Sequence, residues 1–332
     1  MPPRLIWPSS LQERMIMRWV VATFLLGSIA VTHGEEPPPD PRQKAITHQL
    51  SIPPRLQWKD RAGYCGECSI QQSALYFGSY VSQSICRKII DPTQEQDVLV
   101  RINMDLVLRA LRLEFEEFDT SNTPTPQYKP YLQWTKQHLH EGHPIIITVF
   151  DQDDSSWDYD HIALATGFQA LDVKTYHPDD ILFFNDHLRL EPRRREFKTL
   201  HDTREMKGNG AEYYFCIPTT YNFGCAVTGI QDETGALLPV RVSVDREQEP
   251  DTVKEEAPLE LKLTVTVSRL KPGQSYVLYR YDDYETVPTR NYAGSKYQSV
   301  RKFVAERTEH EFQDKCLSNG VSMYRCLPDD GQ

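Results

Sequence analysis

The sequence predicts an α+β domain followed by a small β-sandwich. Three observations carry this. Residues 66 to 140 hold three stretches with apolar residues at helical spacing, and residues 144 to 216 hold short apolar runs of strand length. Beyond about Asn222 the pattern changes to period-two alternation broken by turn residues. Helices first and strands after is the order in which helices gather on one side of an antiparallel sheet. A hydrophobic content of 39% and an aromatic content of 11% suffice for a core and exclude wholesale disorder.

At the N-terminus, Arg14 and Arg18 precede the apolar run Trp19 to Val31, which is shorter than the ~20 residues of a membrane span. The positive flank, apolar centre and small-residue exit (Thr32, Gly34) read as a secretory signal peptide over residues 1–34. An uncleaved signal anchor is the alternative, and the only route to a membrane. Residues 35–55 are a Pro-rich lead-in (Pro37, Pro38, Pro39, Pro41, Pro53, Pro54). The expected location is extracellular or in the lumen of the secretory pathway.

The first helix opens right after Cys65 and covers Gly66 to Phe77, with Ile70, Ala74, Leu75 and Phe77 near helical spacing. A second covers Asn103 to Phe115. A third covers Tyr128 to His140, with Pro130 in its first turn and Gly142 stopping it. Pro144 to Phe150 is a continuously apolar strand, so buried on both faces. His161 to Phe168, Ile181 to Phe184 and Tyr213 to Cys216 are further strands. These place the first domain at 56–222. The second, 223–332, carries the alternating runs Val240–Val244 and Leu259–Val267, then Tyr276–Tyr281 after the turn Lys271-Pro272-Gly273-Gln274.

All seven cysteines lie after the signal: Cys65, Cys68, Cys86, Cys216, Cys225, Cys316 and Cys326. In an oxidising compartment six pair and one is left as a reactive thiol. The expected bridges are Cys316–Cys326 across the turn Asn319-Gly320, Cys216–Cys225, and one of Cys65 and Cys68 with Cys86. No Asn-x-Ser/Thr acceptor is present. The net charge of -10, with no polybasic tract, sets nucleic-acid binding aside.

Three segments carry chemistry together. Gly63-Tyr64-Cys65-Gly66-Glu67-Cys68-Ser69 opens a helix, where the dipole and unpaired N–H groups favour a thiolate. Tyr159-Asp160-His161 opens a strand, and an imidazole held there can act as base and then as acid. Phe184-Asn185-Asp186-His187 ends the next strand, and Asn185 or Asp186 would orient the imidazole through its second nitrogen.

Cys65-Gly66-Glu67-Cys68, and the order Cys, His, Asn/Asp, resemble the papain-like cysteine peptidase superfamily. Within it the chain is closest in pattern to the bacteriocin-processing peptidases of peptide exporters and to phytochelatin synthase. That pattern covers Tyr64-Cys65-Gly66-Glu67-Cys68-Ser69-Ile70, the Gly142-His143-Pro144 entry to a buried strand, Asp160-His161-Ile162-Ala163-Leu164-Ala165-Thr166-Gly167, and Asp186 after a strand. The resemblance spans roughly Arg55 to Pro218. It implies a papain-like fold, a peptide or protein substrate, no cofactor or metal, and a nucleophile at Cys65, with Cys68 in the alternative register. His161 would be the base and Asp186, or Asn185, its orienter. Both registers expect a Gln six residues before the nucleophile. Lys59 and Ala62 stand there, leaving a backbone N–H, Gln71 or Gln72 to hold the oxyanion.

The expected function is a secreted thiol-dependent hydrolase or acyl transferase, a cysteine peptidase or transpeptidase acting on a peptide or amide bond. The alternative is an inactive papain-like module that binds peptides or a cell surface. Rival readings of Cys-Gly-Glu-Cys are a disulfide framework, a thioredoxin-like redox pair, and a zinc site completed by His138, His140 and His143. The acidic run Asp151 to Asp160 reads as a solvated loop, with calcium binding as the rival. Arg193-Arg194-Arg195 also reads as a solvated loop.

Overall fold

A computed structural model describes residues 45–58, 63–91, 101–149, 161–200, 217, 222–245 and 258–329. The expected signal segment, the acidic run 151–160, Cys216 and the strand expected at 213–215 lie outside the described residues. No helix among the described residues is long and apolar enough to cross a membrane. The fold is mixed α+β, and every strand pairing is antiparallel.

Four helices and fourteen strands are described. The first part of the chain gives β1 (Ile46–Gln49), α1 (Cys65–Tyr76), β2 (Ser79–Val81), α2 (Gln83–Ile90), α3 (Arg101–Ala110), β3 (Leu113–Glu117) and α4 (Tyr128–Glu141). Next come β4 (Ile145–Val149), β5 (His161–Ala170), β6 (Ile181–Asn185), β7 (Arg193–Glu196) and β8 (Gly224–Ile230). The last part gives β9 (Val240–Val244), β10 (Glu260–Ser268), β11 (Ser275–Tyr281), β12 (Ser299–Val304), β13 (Glu309–Leu317) and β14 (Val321–Pro328).

The main sheet runs β3-β8-β4-β5-β6-β7, with β1 added to β5. β4 is buried at all five positions, as its unbroken apolar run requires. β5 organises the sheet because it is long. Its start pairs with β4, Val149 opposite His161, and its end pairs with β1, Gln49 opposite Gly167. Two smaller sheets, β13-β10-β9 and β12-β11-β14-β2, share a second apolar core.

The alternation of β11 shows how the cores connect. Tyr276 and Leu278 enter the second core, while Val277, Tyr279 and Tyr281 on the opposite face enter the first. α1 is buried from Cys65 to Leu75. Ile70 and Ala74 join the first core and Leu75 the second. Gln43–Gln332 accordingly form one compact unit.

The sheets do not divide at residue 222, where the sequence texture changes. β8 follows that point yet lies in the main sheet between β3 and β4, while β2, from the first part of the chain, pairs with β14. The Pro-rich lead-in contributes β1. The second helix stops at Ala110, because Arg112 takes the left-handed region (φ 57°) and Leu113–Glu117 then pair with β8. Its buried face is Val107 and Leu108, continued by Leu111, and Leu106 is exposed. Arg193–Glu196 form a strand on β6 rather than a loop.

The expected bridges do not form among the described cysteines. β13 and β14 belong to different sheets, and Cys316 and Cys326 face Leu261 and Leu278 as buried thiols of the second core. Cys65, Cys68, Cys86 and Cys225 are buried thiols as well.

At Gly167, opposite Gln49 of β1, β5 has no room for a side chain. A Cβ there would lie 2.5 Å from the His48 carbonyl oxygen and 2.8 Å from Gln49 Cα, both backbone atoms that cannot swing aside. Gly167→Ala is therefore expected to destabilise the protein by about 1–3 kcal/mol, the cost of overpacking a close-packed interior. Urea unfolding checks this, and an unchanged midpoint would show that β1 contributes little.

Candidate active site

Cys65 is the first residue of α1. The chain enters the helix through Gly63, at φ 76°, and Tyr64, whose carbonyl receives the Cys68 N–H at 2.9 Å. A buried ion pair fixes this entry. Glu67, in the first turn, meets Arg87 of α2 at 2.7 Å, and Arg87 also donates to the Gly63 carbonyl at 2.7 Å and covers the Tyr64 ring at 3.7 Å. Burial pushes the Glu67 carboxyl up, and the Arg87 guanidinium opposes that shift.

The main-chain N–H groups of Ile162, Gly66 and Cys65 itself lie near the Cys65 sulfur and act on it electrostatically. These favour an anion, as does the helix N-terminus. Burial outweighs them. With the sulfur almost excluded from water and the Glu67 charge nearby, the thiol is pushed up to about 11. The lowered thiol pKa expected from the sequence is thus reversed, and Cys65 rests as a protonated thiol.

The residue before Ile162 is His161, the first of β5. Its Nε2 lies 2.8 Å from the main-chain carbonyl oxygen of Asp186, just past β6. A carbonyl only accepts, so Nε2 carries the proton and Nδ1 is the basic nitrogen of the neutral ring. His161 and Asp186 therefore meet, but through a carbonyl rather than a carboxylate, and the Cys65 sulfur lies near Ile162, the next residue of β5. The Asp186 carboxylate accepts from Arg193 at 2.7 Å and from the Leu188 N–H at 3.1 Å. Those bonds hold the turn that presents the carbonyl.

The alternates occupy other places. Cys68 donates to the Arg55 carbonyl at 3.5 Å. Asn185 donates its amide to Gln72 Oε1 at 2.7 Å and to the Ile52 carbonyl at 3.1 Å. Gln71 and Gln72 are also engaged in structure. Gln71 donates to the Val81 carbonyl and receives Arg55, while Gln72 donates to His187 Nδ1 at 2.7 Å.

His187 anchors the floor of the site. It takes φ 65°, is fully buried, and has its Nε2 2.6 Å from Ser69 Oγ, which donates to the Cys65 carbonyl at 3.0 Å. Its own carbonyl receives the Gln57 N–H at 3.0 Å. The one consistent proton pattern is a neutral ring that accepts from Gln72 at Nδ1 and donates to Ser69 from Nε2. Burial, and the charge of His161 when protonated, hold the ring well below the ordinary histidine range. Only its place beside Asp186 in Asn-Asp-His hinted at this role. The Asp186 carbonyl and the Ile162 N–H, being main-chain groups, left no signal in the sequence.

Gln57 is the remaining side chain of note. Its Oε1 is buried without a partner, and its main chain is bonded to the turn that carries Asp186 and His187. The zinc grouping of the two cysteines with three histidines does not assemble. His138 and His143 meet each other, whereas His140 faces His48, with ring centres 5.7 Å apart. No protein-family model matches the chain, and comparison with curated proteins finds no match.

The His187 ring is neutral when folded and protonates near 6.5 when unfolded, so its contribution has a definite sign. Stability is full above about pH 6.5 and is lost as pH falls toward the depressed folded value. The free energy of unfolding should fall from pH 7 to 5 in the wild type, and less steeply in His187→Asn. Asn tolerates the left-handed backbone, so any constant loss would come from the Ser69 and Gln72 partners. Equal slopes would place the acid sensitivity elsewhere.

Proposed function

We propose that the protein is a thiol-dependent hydrolase or acyl transferase, a papain-like cysteine peptidase or transpeptidase of the secretory route acting on a peptide or amide bond. One observation carries the reading. Ile162, the residue that follows His161, lies near enough to the Cys65 sulfur for its N–H to favour the anion, while His161 is held through Nε2 by the Asp186 carbonyl, leaving Nδ1 as its base. Nucleophile, base and orienting acceptor thus come from a helix start, a strand start and a strand end, which are rigid elements.

In this reading His161 Nδ1 takes the Cys65 proton as the sulfur attacks the carbonyl carbon. The C–S bond forms, and the carbonyl π pair moves to oxygen. Main-chain N–H groups of the first turn of α1, which have no partner within the helix, would donate to that oxyanion. His161 then returns the proton to the departing amine as the C–N bond breaks, leaving a thioester. Water attacking the thioester gives a peptidase, and an amine gives a transpeptidase. Because burial holds Cys65 as a thiol, the proton moves during attack rather than before it.

The same burial favours a second reading, a papain-like module that binds peptides without cleaving them, the small sheets adding a binding face. The two readings separate cleanly. Cys65→Ser and His161→Ala should each lower turnover of a broad peptide and amide library by at least ~10²-fold, the smaller end of a general base's contribution. Wild-type alkylation at Cys65 should accelerate steadily from neutral pH toward about 11. Peptide binding without turnover in the wild type would leave the binding module as the function.

A further inference from the structure

The end of α4 carries a set of donor atoms that the Cys65–His161 site does not use. Gly142 enters the left-handed region at φ 93° and caps the helix. Its N–H returns to the Leu139 carbonyl at 3.1 Å, and the His143 N–H to the His138 carbonyl at 2.9 Å. The chain therefore doubles back, and His143 comes to lie beside His138.

The resulting geometry is specific. His138 Nδ1 and His143 Nδ1 are 3.2 Å apart, and Glu141 Oε2 is 3.5 Å from His143 Nδ1. The ligand atoms of all three residues lie within 4.8 Å of one another. Around tetrahedral zinc, with bonds of ~2.0–2.1 Å, neighbouring ligand atoms sit about 3.3–3.4 Å apart. Two of the separations match that edge, and the third closes by rotation of Glu141, which is exposed.

The surroundings also suit a metal. The outer nitrogen of His138, Nε2, has Glu116 Oε1 at 3.7 Å, where a carboxylate would fix the ring of a ligating histidine. Trp134 packs against the His138 ring with centres 4.5 Å apart and restrains it. His138 is nearly buried, while His143 and Glu141 open toward solvent, so a fourth position faces water. His140, one residue from Glu141, is turned to His48 and does not contribute.

We propose that His138, Glu141 and His143 bind one divalent cation of borderline softness, zinc by preference, as a three-ligand site completed by water. Two imidazoles and one carboxylate in tetrahedral arrangement select zinc over magnesium or calcium, which take oxygen ligands in larger shells. Binding needs no redox partner. The proton lying between the two Nδ1 atoms moves through solvent to the outer nitrogen of one ring, and both Nδ1 lone pairs then face the metal. The site lies where α4 turns into β4, whereas His161 pairs with Val149 at the other end of β4. Its role is to tie that corner rather than to take part in the proposed acyl transfer.

Cobalt titration of the untagged, chelator-stripped 332-residue chain tests this, because cobalt reports its own ligands. The expected result is one equivalent bound with the visible bands of tetrahedral cobalt, no thiolate charge-transfer band, and displacement by zinc. His143→Ala should weaken binding by at least ~100-fold, beyond the loss of an outer partner alone. His140→Ala should bind as the wild type does. Absence of the tetrahedral bands, a thiolate band, unchanged binding in His143→Ala, or loss of binding in His140→Ala would each overturn the proposal. None of these readouts depends on peptidase activity.

Discussion

The hydrogen bond from His161 Nε2 to the Asp186 carbonyl is the interaction on which the rest of the site depends. It joins the first residue of β5 to the residue that follows β6, two strands already paired in register through Leu164 and Asn185. A main-chain acceptor at a strand end cannot rotate away as a side chain can. The surrounding bonds keep that carbonyl in place. Arg193 holds the Asp186 carboxylate, Gln57 holds the His187 carbonyl, and Ser69 and Gln72 grip the His187 ring from α1. The helix that begins with Cys65 is thereby tied to the turn that orients His161.

Opposing electrostatic effects meet at Cys65. Three backbone N–H groups and a helix N-terminus pull toward the thiolate, while near-complete burial and the Glu67 carboxylate push toward the thiol. Burial prevails, at a cost of roughly 3 kcal/mol against the anion by the usual conversion of pKa into free energy. Glu67 stays where it is because Arg87 compensates it, and the pair in turn fixes Tyr64 and the helix entry. The group that positions the nucleophile also raises its pKa, which is why proton transfer to His161 belongs to the attack step in the proposed chemistry.

Much of the frame was legible in the sequence, for local reasons. α1 opens at Cys65 because a glycine-led turn precedes an uninterrupted helical stretch, and α4 ends where Gly142 stands. β4 and β5 follow from apolar runs of strand length. What was missed depends on partners distant in sequence. β1 hides among prolines and forms only because Gly167 leaves room for it, and β2 is three residues long and paired to β14 near the other end of the chain. Arg193–Arg195 look solvated until β6 and Asp186 are seen beside them. The residues of the site were legible as types, but their roles were not. Asp186 reads as a carboxylate in sequence and acts through its carbonyl.

The tautomer of His161 tests this account most directly. Proton–nitrogen correlation spectra of the labelled imidazole at mildly alkaline pH, in the wild type and in Asp186→Asn, report which nitrogen carries the proton. A carbonyl acceptor predicts protonation at Nε2 and the same tautomer in both proteins, because the substitution keeps the main-chain oxygen. A neutral ring with its proton on Nδ1, or a tautomer that changes with the side chain of residue 186, would contradict it.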